Sequence, residues 1–180
     1  MMASPLIALS AAIGGTTRLQ ERLGATEATH AIERCLKRME RSVAGHGGHL
    51  AGTTDGELLA TFDSAEQACL AAIDMQNRVA TLPPVSGVKL PIRIGLHCAA
   101  HSAAAASATP ALLVATRIVG LAENDQILAN AALIASLPPQ TGILASRQAT
   151  GGLVGEDGGN IELLAIAWQV PGAPEKGASR

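Results

Sequence analysis

The sequence predicts an α+β fold in which helices cover one face of a mostly antiparallel sheet. Three observations predict it. Apolar residues recur at helical spacing from Ala28 through Ile32, Cys35, Met39 and Val43, with Arg and Glu between them. Asp55-Gly56 divides the stretch His49–Phe62 into two short strands, a strong local hairpin signal. Read end to end, the segments run β-α-α-β-β-α-β-α-β.

Each element has its own cue. Residues 4–13 form an apolar run that ends at Gly14-Gly15, as a central strand does. A helical stretch follows over Thr17–Leu23 and is interrupted at Gly24. Thr26 is the predicted N-cap of the long helix, and Gly45 to Gly48 end it. After the hairpin, Asp63 or Ser64 caps a helix whose small and apolar face is Ala65, Ala68, Cys69, Ala72, Met75 and Val79. The turn Leu82–Gly87 leads to a strand over Val88–Ala99, and the chain becomes helical again from about Pro110. A short strand over Gln126–Ala129 and a small helix over Ala131–Leu137 follow, the latter stopped by Pro138-Pro139. Two strands, Gly142–Ser146 and Ile161–Val170, flank the glycine-rich loop Gly151–Gly159. The expected division is one domain over residues 1–170 and a frayed tail over 171–180.

Composition removes several function classes. Of 180 residues, 48% are hydrophobic and 16% charged, which is too apolar for a disordered chain. Phe62 and Trp168 are the only aromatics, so a surface that stacks nucleic-acid bases has nothing to stack with. Thirteen basic and 15 acidic residues leave a formal charge of -2. The densest basic stretch, Arg34, Lys37, Arg38 and Arg41, is interleaved with Glu33 and Glu40 and reads as a solvated helix face. Nucleic acid is therefore not an expected partner. Cys35, Cys69 and Cys98 are odd in number and far apart, the pattern of buried free thiols in a reducing compartment. The opening MMASPLIALSAAIGG has no Lys or Arg ahead of its short apolar run, so it reads as a buried strand rather than an export signal. No apolar run is long enough to span a membrane. The expectation is a cytoplasmic, stand-alone domain.

Four segments carry a resemblance. They are RLGATEATHAIERCLKRMERSVAGHGGHL, TTDGELLATFDSAEQACLAAIDMQ, LPIRIGLH and ATRIVGLAENDQILA, in this order and spread over most of residues 9–130. The chain resembles a degenerate class III adenylate/guanylate cyclase catalytic domain, or cyclase homology domain. The resemblance implies a ferredoxin-like nucleotidyl cyclase fold. In active members two aspartates bind two metals that hold the triphosphate and activate the ribose hydroxyl. The first lies in a pattern like F-x-D-I-x-G-x-T, matched here by Leu9 to Thr16, which puts Ala11 at the aspartate position. The second lies in the hairpin turn and is retained as Asp55. By spacing, the purine-recognising lysine falls on Ala51, and the second base-selecting position falls within Ala104–Ala108, which holds no acidic residue. The asparagine of the family's N-x-x-x-R pair falls on Leu113, whereas its arginine, which stabilises the transferring phosphoryl group, is retained as Arg117.

These replacements decide the functional expectation. Two-metal phosphoryl chemistry needs carboxylates on both flanks to hold ions about 3.5–4 Å apart. A methyl group at position 11 supplies no ligand and leaves Asp55 alone; Glu57 is a nearby carboxylate whose direction matches that of Asp55 only by period two. Leu113 cannot replace an asparagine's hydrogen bonds. A site built on preorganised charge loses orders of magnitude per missing group. The family also places its site between two head-to-tail subunits, and here neither half is complete.

Other readings of the same residues stay open. Asp55 before Gly56 is also what a type I′ hairpin turn prefers, and Arg117 on the polar face of a helix needs no function. His97 and Cys98 are adjacent on a strand and point to opposite faces. His46 and His49 have no Cys or carboxylate beside them and make a weak zinc signal. Gly14-Gly15-Thr16-Thr17 lacks the lysine and the spacing of a phosphate loop. The expectation is a catalytically silent cyclase-homology domain kept for homodimerisation, for a heteromeric protein partner or for regulation in signalling. It has no metal and no cofactor, and the case for nucleotide binding is weak. The alternatives are a non-catalytic nucleotide sensor and, behind it, a divergent nucleotidyl cyclase.

Overall fold

The computed structural model describes residues 5–99, 107–148, 153–155 and 158–169. The first strand, β1 (Ile7–Ile13), is buried along its whole length because it sits in the middle of the sheet. It is followed by α1 (Thr16–Leu23), α2 (Ala25–Gly45), β2 (His49–Thr54), β3 (Glu57–Phe62), α3 (Ala65–Ala80) and β4 (Ile92–Cys98). Then come α4 (Thr109–Leu121), β5 (Ile127–Asn130), α5 (Ala131–Ala135), β6 (Ala145–Arg147), β7 (Leu153–Val154), β8 (Asn160–Ile161) and β9 (Leu163–Ile166). The predicted order is thus present over its nine leading elements.

Among the described residues the main sheet has the order β2-β3-β1-β4-β5-β9-β6. All its pairings are antiparallel except β4 with β5. Strand alternation sends Ile7, Leu9, Ala11 and Ile13 to one face, where they join Leu58, Ala60, Phe62, Ile92, Ile94 and Leu96. Helices α2 and α3 cover that face through Ala28, Cys35, Met39, Cys69, Ala72 and Met75, and they close the main core. The opposite face carries α4, whose Ala111 and Ala115 pack on Ala8. Gly95 makes this approach possible. A Cβ there would lie 2.5 Å from the Ala115 carbonyl oxygen and 2.9 Å from the Val119 nitrogen.

Buried polar side chains tie the layers together. Gln76 on α3 donates to the carbonyls of Ile92 and Gln126 at 3.2 and 3.4 Å and so bridges the β4 and β5 ends. Asn130 accepts from the Cys98 amide at 2.9 Å and donates to its carbonyl at 3.2 Å, extending the parallel ladder by a side chain. The Trp168 indole donates to the Asp125 carbonyl at 2.6 Å, fastening the segment after β9 over the turn that precedes β5.

Several local expectations need correction. Thr26 does not cap α2; the helix begins at Ala25, and Gly24, at φ 81, is its N-cap. For α3 the cap is Ser64, whose hydroxyl accepts from the Gln67 amide at 3.2 Å. The Asp55-Gly56 turn is not type I′, because only Gly56 has positive φ, at 86°. The I′ conformation occurs instead at Ser86-Gly87, with φ of 49° and 73°. That turn and Pro91 delay the fourth strand, expected from Val88, until Ile92. Part of the expected glycine-rich loop pairs as a β7–β8 ribbon. The expected tail from Pro171 lies outside the described residues.

Candidate functional site

The resemblance assigns chemistry to six positions, and the fold distributes them unevenly. Ala11 pairs with Leu58 on one side and Ile94 on the other. Its methyl group is fully buried in the main core. Asp55 occupies the exposed tip of the β2–β3 hairpin. That tip is docked at the end of β1, since the Ile13 amide donates to the Gly56 carbonyl at 2.8 Å. The hairpin therefore brings Asp55 to the end of the strand that holds Ala11. Position 11 itself carries a methyl group and no carboxylate.

Glu57 pairs in register with Ala12, so it belongs to the sheet face opposite Ala11. Among the described residues, no three of His, Cys, Asp and Glu gather closely enough to hold a metal ion. Ala51 stands at a bulge in β2, where the register shifts between Leu50 and Gly52, and it is exposed on the edge strand. Of the segment Ala104–Ala108, residues 104–106 lie outside the described residues.

Leu113 and Arg117 lie one turn apart on the outer side of α4. Leu113 is 62% exposed. The Arg117 guanidinium is laid down on the β7–β8 ribbon, where Nη1 donates to the Val154 carbonyl at 3.1 Å. Leu121 and Val154 continue the band at 38% and 44% exposure. The inner side of α4 is held to β1 by the Thr116 hydroxyl, which is 3.3 Å from the Ser10 hydroxyl. Within one chain, no hydrogen bond or ion pair among the described residues joins Asp55 to Arg117.

The side chains set aside in the sequence fall as alternation requires. Cys98 packs against the main core, whereas His97, in register with Ala8, faces α4. His97 Nδ1 is buried without a hydrogen-bond partner among the described residues, and burial lowers the imidazole pKa below its usual value. Burial pushes the Cys35 and Cys69 thiols up to about 12, and it raises Cys98 as well. His46 donates Nδ1–H to the Ser42 carbonyl at 2.9 Å at the end of α2, while His49 is exposed on β2.

One residue escaped the sequence reading. Arg93 flanks Ala12 on β4 as Glu57 does on β3, so the three form a row across the α4 face of the sheet. Its Nε is buried and unpartnered among the described residues. The charge inside the apolar strand LPIRIGLH was the available signal.

Comparison with known proteins separates fold from sequence. No family profile matches the chain, and no curated protein matches it. Solved structures do. The dimeric guanylyl cyclase domain of the RhoGC fusion protein from the aquatic fungus Blastocladiella emersonii superimposes with TM-score 0.71 at 13% identity, covering 91% of this chain and 96% of that one. The guanylate cyclase domain of RhGC from Catenaria anguillulae, in complex with GTP, gives 0.71 at 12% identity, with 92% and 97% covered. The adenylyl cyclase CyaB from P. aeruginosa gives 0.67 at 15% identity, with 93% and 95% covered. The chain has the fold of the class III nucleotidyl cyclase catalytic domains over nearly their whole length. Among the described residues, no helix is long and apolar enough to cross a membrane.

Proposed function

We propose that this chain is a cyclase-homology domain without nucleotidyl transfer, which serves as a dimerisation or protein-interaction module. The observation that carries the reading is Ala11. A position that would have to present a metal-binding carboxylate instead holds a fully buried methyl group between Leu58 and Ile94. Asp55 alone cannot hold two ions. At the other end of the chemistry, Arg117 is retained, but Leu113 beside it offers no hydrogen bond to a ribose.

The α4 band supports the interaction half of the reading. Leu113, Leu121 and Val154 expose apolar surface around a single guanidinium, the composition of an interface rather than of a solvated helix face. With Phe62 buried and no tyrosine in the chain, contacts there rely on aliphatic packing.

The test has two arms. Purified protein incubated with ATP or GTP and Mg²⁺ or Mn²⁺ is expected to release no cyclic nucleotide. Production that disappears in Asp55→Ala overturns the loss of catalysis. Sedimentation at high micromolar concentration is expected to give a dimer that Leu113→Asp dissociates. A monomer that also captures no protein partner through α4 removes the interaction reading. Retention of Asp55 and Arg117 favours a second reading, a nucleotide sensor in the same fold, and calorimetry with ATP or GTP at millimolar concentration decides it: absence of heat ends that reading.

A further inference from the structure

Between α2 and the segment joining α3 to β4 lies a cleft that none of Ala11, Asp55, Leu113 and Arg117 lines. The flap on one side is locally firm. Val85 and Val88 exchange both backbone hydrogen bonds at 2.9 Å around the Ser86-Gly87 turn. Arg22 on α1 holds the flap by donating from Nη1 to the Ser86 carbonyl at 3.2 Å. Facing it is the flank of α2 that carries Glu27, His30, Arg34 and Lys37.

The cleft has two compartments. The inner one, about 80 Å³, is walled by Ala31, Val79, Leu82, Val88 and Leu90. The outer one, about 490 Å³, is open and bordered by Glu27, His30, Glu33 and Lys37. Arg34 and Val85 belong to both compartments, and Lys89 stands at the rim of the inner one. Ion pairs among the described residues join Arg78 to Asp74 and Arg147 to Glu162, and neither Arg34 nor Lys89 enters one.

This arrangement selects a ligand by charge and shape. An aliphatic recess rewards a hydrocarbon chain in proportion to the area it buries. Two unpaired cations at its rim suit a carboxylate, which a guanidinium can bind through two parallel hydrogen bonds. Around the cleft Arg34, Lys37 and Lys89 outnumber Glu27 and Glu33 by one, so an anion meets net attraction and a single negative charge neutralises the rim. We propose that this cleft binds a straight-chain monocarboxylate, with its alkyl chain in the recess and its carboxylate between Arg34 and Lys89. The site is independent of the proposed function.

The probe is octanoate, titrated into the full chain by calorimetry and followed through backbone amide shifts. Saturable binding is expected, with the largest shifts at Ala31, Val79, Val88 and Leu90. Shortening the chain to hexanoate and butanoate is expected to weaken binding roughly four-fold for each methylene that leaves the recess. Arg34→Gln and Lys89→Gln change exposed side chains, so the fold survives, and each is expected to weaken octanoate binding about ten-fold. Octylamine, with the same chain and the opposite charge, is expected not to compete. Absence of saturation at octanoate concentrations on the order of 10 mM, equal binding of octylamine, or unchanged affinity in both variants overturns the proposal.

Discussion

Replacing Gly95 with alanine tests how α4 is mounted on the sheet. The new methyl would meet the Ala115 carbonyl oxygen at 2.5 Å and the Val119 nitrogen at 2.9 Å, and both are backbone atoms of a helix. No rotamer change relieves such a contact. The helix has to rise by roughly 1 Å to restore ordinary carbon–oxygen separation. Overpacking of this kind costs about 1–3 kcal/mol. The same movement stretches the Thr116–Ser10 hydroxyl pair, already at 3.3 Å, beyond hydrogen-bonding range and removes about 1 kcal/mol more. The expected loss is therefore about 2–4 kcal/mol, a large part of a typical domain's stability. Urea unfolding measures it as a lower midpoint at unchanged slope. Gly52→Ala is the control, because its Cβ would meet nothing within 4 Å. A Gly95→Ala protein within about 0.5 kcal/mol of the parent refutes the close seating of α4 on β4.

Three further substitutions probe the same architecture. Gly120 lies inside α4 with open space where a Cβ would go, so Gly120→Ala is expected to stabilise the protein by about 0.5–1 kcal/mol in the same urea assay. His97 has a pKa lowered by burial, so below the usual value near 6.5 the unfolded chain binds more protons than the folded one. Stability is then expected to be full above pH 6.5 and to fall as pH drops from there toward the lowered pKa. His97→Gln should flatten that slope, and an unchanged slope in the variant removes His97 as its source. Ala11→Asp places a carboxyl group in the main core with no partner, and its protonation at neutral pH plus its burial are expected to cost about 4 kcal/mol. Circular dichroism melts check this, and a melting temperature equal to the parent's would show that the position is open to solvent or ions.

The sequence made the helices and the hairpin legible because their signals are local. Ala28 to Val43 carry a helical period, Ser64 stands three residues before Gln67, and Asp55-Gly56 interrupts two strand-like runs. What was not legible depends on residues that meet only after folding. Gln76 reaches Ile92 and Gln126 across two strand ends, and Trp168 reaches Asp125 across 43 residues. The seating of α4 has one local cue, since a glycine inside the apolar strand RIGLH marks a close backbone approach. The Asp-Gly dipeptide favours a type I′ turn, yet Asp55 does not take the positive φ that type requires, and the turn is docked to β1 through Gly56 and Ile13. Of the candidate site, the identities at Ala11, Asp55, Leu113 and Arg117 were readable. The burial of Ala11 and the lodging of Arg117 on Val154 were not.

Burial explains why the two positions that the resemblance assigns to metal binding can differ so sharply. Position 11 lies in a strand whose seven residues are all buried, with Leu58 and Ile94 as its cross-strand neighbours. A carboxylate there is tolerable only while an ion balances its charge; without the ion it must protonate or unfold its surroundings. A methyl group at the same point removes that liability and completes the apolar side of β1. Position 55 is exposed at a turn, where a carboxylate remains hydrated with or without a metal. Keeping Asp55 therefore costs the fold nothing, and its presence is weak evidence for catalysis. The informative position is the buried one, because an alanine there offers no ligand and at the same time belongs to the core against which α2, α3 and the hairpin pack.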